Sequence, residues 1–78
     1  MKSINTLVAE LAKEIPATET EVLEAYNSGS IKFFDGHEGL KSFMKARENK
    51  DVSIDIYQMD DRHFAVDTIM IARNSGRY

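Results

Sequence analysis

The side chains best suited to chemistry crowd into the last third of the chain, where Asp55, Asp60, Asp61, His63 and Asp67 follow one another closely. Carboxylates held side by side separate their pKa values and can divide the work of a general acid and a general base. A histidine among them suits proton transfer or metal binding. Neither use is completed by the surrounding pattern. His37 and His63 are 26 positions apart and there is no cysteine, which is not a zinc spacing. Asp60-Asp61 lacks the alternating oxygen ligands, the glycine and the distal glutamate of a calcium loop. Gly36-His37-Glu38-Gly39 opens a helix, as phosphate sites do, without the Walker spacing or its lysine. The residues therefore imply no catalytic set, no metal ligands and no cofactor, and the chain reads as non-enzymatic.

What Asp55 and Asp67 do depends on the elements that carry them. Ile4, Leu7, Val8, Leu11 and Ile15 recur at helical spacing after Ser3, a capping residue, and Pro16 ends that helix. Thr18-Glu19-Thr20-Glu21 is a capping box for a second helix over about Glu19 to Tyr26, with Val22, Leu23 and Tyr26 inward and Gly29 as terminator. Ile31 to Asp35 is short, β-prone and bounded by glycines, hence a strand. Asp35 then heads a second capping box for a third helix reaching about Asn49, with Leu40, Phe43 and Met44 inward. From Val52 the period changes to two, and Asp60-Asp61-Arg62 turns the chain into a run from His63 to Ala72. The fold class is α+β, order α-α-β-α-β-β: an antiparallel sheet of two to three strands with the helices packed on one face.

The hairpin register follows from its faces, because a slip of one residue exchanges them. A two-residue loop would set Ile54 opposite Asp67 and bury a carboxylate among aliphatic side chains. A three-residue loop, 60 to 62, makes one face Val52/Met70, Ile54/Thr68, Ile56/Val66 and Gln58/Phe64. The other becomes Ser53/Ile69, Asp55/Asp67, Tyr57/Ala65 and Met59/His63, continued by Ile71. The first face is expected beneath the helices, with Leu7, Leu11, Phe33, Leu40, Phe43, Ile54, Ile56, Phe64 and Val66 as core. The second is expected outside, where opposed carboxylates repel unless a cation is offered. Asp55, Tyr57, Met59, His63, Asp67, Ile69 and Ile71 thus form the expected partner-binding face, suited to an arginine flanked by apolar contacts.

With 78 residues, the chain is expected to be one domain over 1–78 with a flexible tail at about 74–78, and its small core favours association. The partner is expected to be another protein or a second copy. No apolar run approaches a membrane span, and the absence of cysteine suits a reducing cytoplasm. The net charge of −3 is uneven: residues 1–39 hold three basic and seven acidic side chains, residues 40–78 seven and six. Lys41, Lys45, Arg47 and Lys50 make the third helix basic, and two helices followed by a hairpin resemble the order of a winged helix-turn-helix. Nucleic-acid binding through those four residues is the alternative, opposed by the acidic hairpin tip and by overall acidity.

Overall fold

A computed structural model of the chain describes residues 2–48 and 54–71. The expectations on Asn49, Lys50, the pairings of Val52 and Ser53 and the tail at 74–78 lie outside the described residues. Six elements follow in order: α1 (Ile4–Glu14), α2 (Glu19–Asn27), β1 (Ile31–Asp35), α3 (His37–Arg47), β2 (Asp55–Gln58) and β3 (His63–Asp67). Three helices and a three-stranded antiparallel sheet make a small α+β domain in the expected order. Among the described residues no helix is long and apolar enough to cross a membrane.

Local signals account for most element ends. The Ser3 Oγ accepts from the Thr6 N–H at 3.2 Å at the start of α1, and Ile15, held extended before Pro16, stops it. The capping box of α2 is complete, Thr18 and Glu21 each accepting from the other's backbone N–H at 3.1 Å. At its end Gly29 adopts a φ of 84°, which lets the Gly29 and Ser30 N–H groups reach the Tyr26 and Ala25 carbonyls. The buried residues of α2 are Val22 and Ala25, while Leu23, expected inward, is exposed. The capping box expected at Asp35 does not form. Gly36 precedes α3 without a side-chain cap, and the Asp35 carboxylate instead receives the Arg62 guanidinium at 3.0 and 3.1 Å, tying the end of β1 to the hairpin loop.

The hairpin takes the expected register: Asp55↔Asp67, Ile56↔Val66, Tyr57↔Ala65 and Gln58↔Phe64, closed by the Met59 N–H donating to the His63 carbonyl at 2.8 Å. β1 pairs with the other side of β3, from Ile31↔Asp67 to Asp35↔His63, so the order is β1-β3-β2 and β3 is central. All five residues of β3 are buried. The faces, however, are exchanged relative to expectation. α1 and α2 cover the row holding Ile31, Phe33, Ala65, Tyr57 and Met59, joined by Val8, Leu11, Ile15, Val22 and Ile71. α3 packs on the opposite face, where Phe34 meets Phe43 with centroids 5.5 Å apart and Phe64 meets His37 in a T-shaped pair with centroids 4.9 Å apart. Adjacent residues of a strand point to opposite faces, so the helices divide between both faces instead of sharing one. Gly39 permits the close seat of α3, since a Cβ there would stand 3.0 Å from the Phe34 ring.

The exchange turns on Asp67. Asp67 was expected on the outer face of this register, yet it is fully buried. Its two carboxylate oxygens accept from the Ile69 N–H at 3.0 Å and the Ile71 N–H at 2.8 Å, so backbone donors replace water. The turn they hold ends β3 five residues before the expected Ala72, sets Met70 at a φ of 48° and returns Ile71 to the core. Asp67→Ala would leave a buried N–H without an acceptor, a cost of about 2 kcal/mol, and Asp67→Asn, keeping one acceptor oxygen, should lose less. Urea unfolding followed by circular dichroism should give that order, and an Asp67→Ala midpoint equal to the parent's would refute it.

Candidate functional site

The residues expected to meet a partner through the hairpin do come together, but beneath α1 and α2. Ile71 lies in the core, Tyr57 and Met59 pack against it, and Asp55 is half-buried. Asp67 and His63 are buried, the latter 8 % exposed. Ile69 alone of the seven is exposed. That face is filled by the protein itself.

His63 belongs to a polar cluster that closes the hairpin loop onto the start of α1. The Asp60 Oδ1 accepts from the backbone N–H groups of Arg62 and His63, each at 2.8 Å, which shapes the loop. The same carboxylate faces the His63 Nδ1 at 2.9 Å, placing the imidazole proton on that nitrogen, while Nε2 faces the Lys2 N–H at 3.5 Å. The Lys2 Nζ bridges Asp60 at 2.8 Å and Glu10 at 2.9 Å. Both ring nitrogens of His63 are thereby directed at the protein's own groups. The Lys2 ammonium, followed by the Arg62 N–H and the His63 ring, holds the Asp60 carboxyl well below the usual carboxylate range. Asp60, and then Glu10, raise the Lys2 amine above its ordinary value. Among the described residues no group of three or more histidines and carboxylates is arranged to hold a metal ion.

The basic residues of the third helix occupy a different setting. Lys41 and Lys45 are exposed, Arg47 lies over the Phe43 ring at 5.2 Å, and Lys50 is outside the described residues. α3 buries none of its eleven residues. Leu40 and Met44 line, with Ile54, a groove of about 640 Å³, together with Lys41, Lys45, Arg47 and Glu48. Ile56 stands exposed on the same sheet face. Leu40, Ile54 and Ile56 were expected in the core, so this surface was missed in the sequence. The signal that marks it is supply: once β3 is central, α3 has only one side of a narrow sheet to cover. α2 and α3, on opposite faces with β1 between them, do not form a helix-turn-helix unit.

A second groove, of about 430 Å³, lies between α2 and the turn after β3. Glu21, Glu24 and Ser28 line it together with Ala25, Ile69 and Ile71. Among the described residues it carries two carboxylates and no cation, the opposite sign to the groove on α3.

The cluster around Asp60 fixes the sense of one pH dependence. A carboxyl whose folded pKa is depressed adds stability that is present above its unfolded value, near 3.8, and lost as the pH falls through that value toward the folded one. The raised Lys2 amine adds stability below 10.5 that is lost as the pH rises through its folded value. Stability should therefore drop below about pH 4, and Asp60→Asn should shallow that drop in urea midpoints measured across the acid range. An unchanged acid limb would show that Asp60 does not contribute to it.

Comparison of the chain with protein-family models, with curated proteins and with solved structures finds no match.

Proposed function

We propose that the chain is a small non-enzymatic protein-binding module of the cytoplasm, a modulator of a larger protein, that receives an acidic, apolar-faced segment in the groove on α3. One observation carries this reading: α3 seats Phe43 on the sheet, yet it leaves Met44 exposed and Leu40 half-buried beside the exposed Ile56, with none of its own residues fully buried. Leu40, Met44 and Ile54 supply apolar anchoring, and among the described lining residues Lys41, Lys45 and Arg47 against Glu48 select negative charge. Apolar contact gives most of the affinity in such a groove, while the charges steer the encounter and fix orientation. The non-enzymatic reading draws support from His63, whose ring is buried and bonded on both nitrogens within the protein. A cysteine-free chain is suited to a reducing compartment.

The test is fluorescence anisotropy with a labelled synthetic amphipathic helix bearing leucines at helical spacing flanked by glutamates. A short DNA duplex serves as the competing probe. The peptide should bind, and both Met44→Asp and the double change Lys41→Glu/Lys45→Glu should weaken it about tenfold or more. None of these side chains is buried, so the circular dichroism spectrum should be retained. Duplex binding that the charge reversals abolish, without peptide binding, would replace this reading with a nucleic-acid surface.

A further inference from the structure

We infer that the groove on α3 is filled by α2 of a second copy of the chain, so that copies join head to tail. This rests on the groove reading above and names the acidic segment. The outward stripe of α2 is Thr20, Leu23, Glu24 and Asn27, all exposed and spaced at i, i+3, i+4 and i+7, with Glu19 beside it. Leu23 is 37 % exposed, an apolar knob between carboxylates. Met44, lining the receiving groove, is 36 % exposed, a matching apolar surface between cations. Laid ridge into groove, α2 would set Leu23 against Leu40, Met44 and Ile54, with Glu19 and Glu24 facing Lys41, Lys45 and Arg47. In turn the flank of α2, where Glu24 lines the second groove with the exposed Ile69, extends the acidic contact toward the incoming α3.

The placement of the two helices decides the symmetry. α2 packs on one face of the sheet and α3 on the other, so a protomer that receives α2 in its groove still presents its own α2 on the far side. Such a contact is heterologous and builds rings or open chains. One helix in one groove buries less than the roughly 800 Å² per partner of a standard interface. The assembly is therefore expected to be reversible and concentration-dependent.

Sedimentation velocity over a concentration series tests this. The parent chain should sediment faster as concentration rises, and less so at high salt. Glu19→Lys/Glu24→Lys makes the α2 ridge basic, and Lys41→Glu/Lys45→Glu makes the groove acidic; each variant alone should sediment as a monomer. Mixed together they should associate again, because the acidic ridge of one fits the basic groove of the other and the reversed pair fits equally. Leu23→Ala, which favours helix, should weaken association about tenfold with no change of charge. Variants that associate like the parent, or a mixture that stays monomeric, would overturn the proposal. A parent chain that is monomeric throughout yet binds the acidic peptide would overturn self-association and leave the groove reading standing. Loss of both would remove the two together.

Discussion

A buried carboxylate governs the architecture. Asp67 closes the central strand by accepting two backbone N–H groups from the residues that follow it, and those bonds compensate for the loss of water around its carboxyl oxygens. The turn so formed sends Ile71 into the core and lets Ala65 and Tyr57 face α1 and α2. Without those donors, the same side chain would favour the opposite orientation of the hairpin. The fold thus depends on a local side chain to backbone arrangement that settles which face of the sheet is inside.

Everything on the α3 side follows from that choice. The chain has enough apolar surface for one well-filled layer, and the two helices that close it, α1 and α2, take Leu7, Leu11, Val22 and Ile31 to near-zero exposure. Among the described residues the second face receives one helix, anchored through Phe43 on Phe34 and His37 on Phe64. A single helix cannot cover a three-stranded sheet, so Ile56 and Met44 stay exposed and a groove opens beside them. In a domain this small, leftover apolar surface is a means of association as well as a liability.

Charge sorts along the same division. α1 and α2 carry Glu10, Glu14, Glu19, Glu21 and Glu24 against Lys13, whereas α3 carries Lys41, Lys45 and Arg47 against Glu38, so the small net charge conceals helices of opposite sign. The acidic hairpin tip is not a free acidic patch, because Lys2 and the loop's own N–H groups engage Asp60 and Arg62 engages Asp35. That cluster ties the start of the described chain and the end of β1 to the hairpin loop, which a linear reading of Asp60-Asp61 does not reveal.

The sequence by itself determined the element order, the caps of α1 and α2, the strand at Ile31 to Asp35 and the hairpin register, all of which depend on neighbours close along the chain. The uneven charge and the basic third helix were legible for the same reason. Only the tertiary structure decided which face of the hairpin is buried, since Phe64, Ala65 and Val66 make β3 apolar on both sides and alternation cannot choose between them. The cost of burying Asp67 selected the right register but the wrong face for it, because the N–H groups that satisfy its carboxylate lie in a turn that exists only once the strand has ended. The candidate surface moved with that choice, from Tyr57, Met59 and Ile71 to Leu40, Met44 and Ile54. Which apolar residues remain for a partner is fixed by the number of helices available to each face of the sheet, a property of the packed chain and not of any one segment.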